Sequence, residues 1–164
     1  MRDEVDEVVG AWQRERPDLP TEPMQIWSRI LRLALHLDEA RRAAHAAHHL
    51  EGWEFDVLAA LRRAGHPYTL TPGQLLRETH VTSGTMTNRV DRLVTRGWVS
   101  RQADPSDGRS VRVVLTDEGR SVVDAALGAL LEAEEFLLAS FSAAERTQLT
   151  DQLRRLLIAQ GDQA

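Results

Sequence analysis

Thr71 to Leu115 holds two short helical patterns with a tight turn between them, then two strand patterns separated by a turn, all within 45 residues. Few folds accept that order. Thr71-Pro72 is an N-cap followed by proline at the first helical position, where the missing N–H costs nothing. The helix it opens runs to about Thr79. His80-Val81-Thr82 make a short turn, and a second helix follows from Ser83 to Arg96, stopped by Gly97. Two short helices joined this way form a helix-turn-helix. Trp98 to Gln102 and Ser110 to Leu115 read as strands; in the second, Val111, Val113 and Leu115 alternate with Arg112 and Val114. Ala103-Asp104-Pro105-Ser106-Asp107-Gly108 between them is rich in turn formers. That hairpin would be a wing beside the helix pair.

Helices surround this segment. Val5, Val8, Val9 and Trp12 have the spacing of one helical face. Pro17, Pro20 and Pro23 break it, giving a linker over Glu15 to Pro23. A long helix runs from about Met24 to Leu50, with apolar positions at Ile26, Ile30, Leu33 and Leu37, and Gly52 interrupts it. Trp53 to Ala64 form another, stopped by Gly65-His66-Pro67. After the hairpin, Thr116 caps a long helix from Asp117 to about Ala139, whose first acids suit the helix dipole. Ser142 and Glu145 fit a capping box, and a last helix carries Leu149, Leu153, Leu156 and Leu157. The expected fold is mainly α with a short β-hairpin: a winged helix-turn-helix domain plus a helical dimerisation domain. A chain of 164 residues suffices for one compact domain or for a small domain with dimerisation helices.

Charge is distributed to match. From Ser83 to Arg112, six arginines stand against three aspartates, a local +3 on a chain whose formal net charge is −5. A basic segment on an acidic body is the electrostatic footprint of nucleic-acid binding. On a helical wheel, Met86, Val90, Leu93 and Val94 make an inward apolar face, and Gly84, Thr85, Asn88 and Arg92 lie opposite. Small and hydrogen-bonding side chains there suit entry into a major groove, with Asn88 matching adenine and Arg92 guanine. Thr82 and Ser83, at the helix start, suit phosphate. Thr87 and Arg89 fall on the flanks, and Arg89 lies near the apolar boundary, able to face DNA or the protein body. At the hairpin tip Arg109 is placed to enter a narrow minor groove, with Asp107 to orient it. Arg101 and Arg112, on the strands, suit phosphates.

Other chemistries find less support. No cysteine is present, which removes disulfides and thiolate metal sites. His45 and His49 have i, i+4 spacing, but no cysteine or placed carboxylate accompanies them, and neither metal nor cofactor is expected. No Gly-rich phosphate loop or nucleophile elbow is found, so no enzyme is expected. No apolar run is long enough to cross a membrane, and a cytoplasmic protein is the simple reading. The alternative is a helical protein-interaction module without DNA binding, which leaves Arg109 without a role.

Ser83-Gly84-Thr85-Met86-Thr87-Asn88-Arg89-Val90-Asp91-Arg92-Leu93, then Gly97, then Asp104-Pro105-Ser106-Asp107-Gly108-Arg109-Ser110, then Leu115-Thr116-Asp117-Glu118-Gly119-Arg120, resemble the MarR family of bacterial transcription regulators. The resemblance implies a homodimer on a pseudo-palindromic double-stranded operator. Residues 1–50 and 116–164 would build the dimer interface, and 51–115 the DNA-binding lobe. Arg109, with Asp107 as partner, would enter the minor groove. Most such proteins are repressors, and many release DNA on binding a small aromatic or phenolic ligand. A narrower resemblance to the urate-responsive subgroup puts Trp12, Asp56 and Arg89 around a ligand, here an anionic aromatic or organic acid. The stretch Leu61-Arg62-Arg63-Ala64 lacks a further polar pocket residue of that subgroup. Read from spacing alone, a tryptophan at position 12 is more often core packing than a ligand contact, and Asp56 is the partner of an arginine.

Overall fold

The computed structural model describes residues 2–79, 81–103 and 111–162. Seven helices and a small sheet are seen among them: α1 Glu4–Glu15, α2 Met24–Ala46, α3 Gly52–Arg63, β1 Thr69–Leu70, α4 Pro72–Thr79, α5 Ser83–Thr95, β2 Val99–Ala103, β3 Val111–Leu115, α6 Asp117–Leu137 and α7 Ala143–Ala159. The hairpin tip, with the expected Asp107 and Arg109, lies outside the described residues.

The sheet has three antiparallel strands in the order β1-β3-β2, one more than the hairpin expected from sequence. Thr69 pairs with Val114 and Leu70 with Val113. On the other side Val99 pairs with Leu115 and Ala103 with Val111. β3 is therefore the central strand, and it turns Val113 and Leu115 into the core while Val111 stays 43% exposed near the hairpin tip.

α3 is the centre of the lobe. Glu54, Phe55 and the run Val57 to Leu61 are all buried, leaving Asp56 exposed. A helix covered on most sides needs neighbours on several faces. Leu75 of α4, Met86, Val90 and Leu93 of α5, Val99 and Val113 of the sheet, and Val123, Ala126 and Leu130 of α6 provide them.

Three sequence expectations change. The long helix α2 ends at Ala46 rather than Leu50. The Leu50 N–H returns to the His45 carbonyl at 3.0 Å, and His49 adopts φ 56°, so His45 and His49 do not share a helix face. His45 is buried and stacks on Phe55 at 4.4 Å between ring centroids. Burial, then nearby Arg41, holds its imidazole pKa below the ordinary value, against an opposing pull from Asp56. Second, Val94 is 38% exposed, so the inward face of α5 is the narrower set Met86, Val90 and Leu93. Third, α1 buries only Val5 and Val9; Val8 and Trp12 are 43% and 49% exposed, and Trp12 is not core.

α1 is tied to α2 by charge as well. Arg29 donates to Asp3 at 2.8 and 2.9 Å and to Asp6 at 2.8 Å, and Arg32 pairs with Glu4. Asp3 and Asp6 also form the capping box that starts α1. Hydrogen bonding from Arg29 is the first cause that lowers the Asp3 carboxyl pKa.

Candidate nucleic-acid interface

α5 begins at Thr82, whose backbone is extended and whose side chain makes no cap to the helix. Its hydroxyl instead lies 3.0 Å from that of Thr85. The first N–H groups of α5 thus carry no side-chain cap, the condition in which a helix start accepts an anion. The helix stops at Gly97, whose φ of 74° suits glycine.

Thr82, Ser83, Gly84, Thr85, Thr87, Asn88 and Arg92 are all exposed. A Cβ added at Gly84 would meet nothing within 4 Å, so packing inside the chain does not call for glycine there. Thr87 Oγ1 donates to the Ser83 carbonyl at 3.2 Å. Gly84, Thr85, Asn88, Arg89 and Arg92 line a shallow open cleft together with Trp53 of α3.

Not every expected cation is unengaged. Arg92 donates to a Glu51 carboxylate oxygen at 2.6 Å, and its guanidinium lies 4.6 Å from the Trp53 ring centroid. Arg89 is half-buried and lies 5.4 Å from the same centroid. Arg101, on β2, is paired with Asp91 of α5. Both ion pairs are exposed, and water screens such pairs so well that DNA phosphates compete with them readily.

The three residues expected around a ligand are not joined. Trp12 is on α1, exposed; Asp56 is on α3, exposed; Arg89 faces Trp53. Among the described residues no hydrogen bond, ion pair or ring contact links any two of the three.

Sequence reasoning missed Glu51, Trp53 and Glu54, all at the start of α3. Glu54 is fully buried and accepts from Arg96 at 2.9 and 3.0 Å, and from the Glu51 N–H at 2.9 Å. Arg96 also donates to the His49 carbonyl at 2.9 Å and lies 3.6 Å from the Trp98 ring centroid. A glutamate beside the largely apolar run from Phe55 to Leu61 was the available signal, since a buried carboxylate demands a cation. Hydrogen bonding from the Trp53 indole, then from Arg92, holds the Glu51 carboxyl below the usual carboxylate range.

Known proteins resemble this chain in sequence and in fold. The family model described as "MarR family" matches residues 49–110, which span α3 to the hairpin. The transcriptional regulator PecS of Dickeya dadantii is 38% identical over 153 residues, 93% of this chain and 92% of PecS. The transcriptional repressor NicR of Pseudomonas putida is 32% identical over 104 residues, 63% of this chain and 64% of NicR. A crystal structure of a mutant MarR from Escherichia coli complexed with operator DNA superposes with a TM-score of 0.68 at 26% identity, covering 83% of this chain and 96% of that one. Sequence identity with PecS along nearly the whole of both chains, together with the family match over residues 49–110, places the chain in the MarR family of helix-turn-helix transcriptional regulators.

Proposed function

We propose that the chain acts in the cytoplasm as a homodimeric repressor, setting α5 of each subunit into adjacent major grooves of a pseudo-palindromic operator. The observation that carries this reading is the outward face of α5: Gly84, Thr85, Asn88 and Arg92 are uncovered while Met86, Val90 and Leu93 are buried. Asn88 and Arg92 read base edges, Thr85 and Thr87 pack along the groove, and Thr82, Ser83 and Arg101 meet phosphates. Arg109, oriented by Asp107, follows the minor groove. Residues 1–50 and 116–164 form the dimer interface; in the single chain Leu31 and Leu35 of α2 are 67% and 71% exposed, Phe136 of α6 is 80% exposed, and Leu157 of α7 is 54% exposed. Apolar surface on that scale fits a second copy. Relatives support the rest: NicR is a transcriptional repressor, and a MarR from Escherichia coli is seen in complex with operator DNA. The chain serves as a regulator and not as a catalyst.

Binding to duplex DNA should fall roughly a thousandfold between about 50 and 200 mM salt, because neutralised phosphates release counterions. Asn88→Ala should relax discrimination at one or two positions of each half-site by about 1–3 kcal/mol. Selection of bound fragments from random DNA reads both the half-site and this loss. Wild-type selectivity in Asn88→Ala would remove α5 as the reading helix.

The effector reading is an anionic aromatic held by Trp12, Asp56 and Arg89. It is supported by an exposed indole, an exposed carboxylate and a half-buried guanidinium on the reading helix. Titrating urate against the protein–DNA complex should release DNA, and Trp12→Phe and Arg89→Ala should blunt that release. No release at millimolar urate removes that ligand.

A further inference from the structure

Two arginines of α5 lie against one aromatic ring that belongs to another helix. Trp53 of α3 presents its ring to Arg92 at 4.6 Å and to Arg89 at 5.4 Å. Its indole N–H donates to Glu51 Oε2 at 2.6 Å, while Glu51 Oε1 accepts from Arg92, also at 2.6 Å. Indole, carboxylate and guanidinium therefore close a three-membered cycle, each touching the other two. Glu51 and Arg92 are 41 residues apart in the chain and more than half exposed, at 56% and 52% of their side chains.

The cycle does two opposite things to Arg92. Stacking on Trp53 restricts a side chain that otherwise has many rotamers, so less entropy is lost when DNA fixes it. The carboxylate, by contrast, occupies the donors that a phosphate or guanine would take, and it adds a negative charge beside the DNA path. In exposed surroundings that pair is weak enough to exchange.

We infer that Trp53 is a positioning residue for DNA reading, orienting Arg89 and Arg92, and that Glu51 is a built-in competitor that DNA displaces from Arg92. The inference rests on the proposed docking of α5. Trp53 makes discrimination between sites sharper, and Glu51 makes all binding weaker. Trp53 thereby widens the gap between operator and bulk DNA, whereas Glu51 lowers both affinities and leaves that gap unchanged.

Operator and an unrelated duplex of equal length, each titrated with full-length dimer at one salt concentration, separate these roles. Trp53→Leu keeps apolar bulk against the lobe but removes the π face. It should weaken operator binding about five- to tenfold and leave the unrelated duplex within about twofold. Trp53→Phe restores a face without the N–H and should return operator binding to within about twofold of wild type. Glu51→Gln keeps an acceptor for the indole but removes the charge, and should tighten both duplexes about two- to fivefold. A merely structural role for Trp53 would lower both duplexes together. Equal loss on both duplexes, no rescue by phenylalanine, or binding by Glu51→Gln no tighter than wild type each overturns the inference. Asn88→Ala runs alongside. If it discriminates as wild type does, the docking of α5 falls and this inference with it; if it loses discrimination while the Trp53 and Glu51 variants match wild type, only the inference falls.

Discussion

Arg96→Ala is expected to destabilise the DNA-binding lobe by about 2–3 kcal/mol, measured by urea unfolding at fixed protomer concentration. The substitution strands Glu54. That carboxylate has no exposure, and Arg96 fills both of its oxygens at 2.9 and 3.0 Å. Without Arg96 its remaining donor is the Glu51 N–H at 2.9 Å. Arg96 is itself partly exposed, so water entering the vacated site offsets part of the penalty, but a carboxylate this deep still loses the cation that balances its desolvation. Arg96 also loses its bond to the His49 carbonyl and its place over Trp98. A loss of this size is a large part of a total stability near about 5–15 kcal/mol, so the variant should unfold at clearly lower urea than wild type. Its cause is separable from lost packing. Adding Glu54→Gln to Arg96→Ala should recover at least about half of the loss, since a neutral amide needs no cation. A loss below about 1 kcal/mol in Arg96→Ala, or no recovery in the double variant, would show that the pair is not what seats α5 on α3.

Local chemistry explains what could be read from the chain beforehand. Thr71-Pro72 opens α4, Gly97 ends α5 and Thr116 starts α6 because each acts through its own backbone and that of near neighbours. The outward position of Gly84, Thr85, Asn88 and Arg92 follows from the 3.6-residue period once Met86, Val90 and Leu93 are placed inside. What escaped is nonlocal. β1 is two residues long and exists only by pairing with Val113 and Val114, more than forty residues later. The end of α2 carries no glycine or proline; it is made by His49 in a left-handed conformation and a return bond from Leu50. Glu51 sits 41 residues from Arg92, and with Trp53 it opens a helix whose pattern announces only a core. Periodicity states which face of α5 points out, and says nothing of which side chains from α3 stand beside that face. Apolar periodicity in α2 and α7 likewise marks burial without naming the surface that covers Leu35 or Leu157, and none of the described residues of the single chain covers them.

Gly119→Ala should be the other large effect, and it tests the seam between the DNA-binding lobe and the long helix α6. A Cβ at Gly119 would stand 2.1 Å from the Trp98 carbonyl oxygen, 2.9 Å from its carbon and 3.0 Å from Leu115 Cδ1. The first two are backbone atoms, so no rotamer relieves the clash. The seam around them is closely bonded. Thr116 N–H donates to the Trp98 carbonyl at 3.1 Å, Thr116 Oγ1 donates to the Gly97 carbonyl at 2.8 Å, and the Gly119 N–H donates to Thr116 Oγ1 at 3.0 Å. These bonds hold the start of α6 against the segment that follows α5, so the Leu-Thr-Asp-Glu-Gly sequence there has a mechanical reason. Alanine would push the two apart at a cost of about 3 kcal/mol or more, the upper end for overpacking. Gly84→Ala supplies the contrast. Nothing lies within 4 Å of its added Cβ, and alanine favours helix over glycine by up to about 1 kcal/mol. Gly84→Ala should therefore melt no lower than wild type yet bind operator more weakly, because the space it fills lies on the face assigned to DNA. Gly119→Ala should lose both stability and DNA binding, the second as a consequence of the first. Calorimetric melting and operator titration of the two variants give the result. A Gly119→Ala protein that melts like wild type would mean that α6 is not seated on Trp98, and a Gly84→Ala protein with undiminished operator binding would move DNA away from the start of α5.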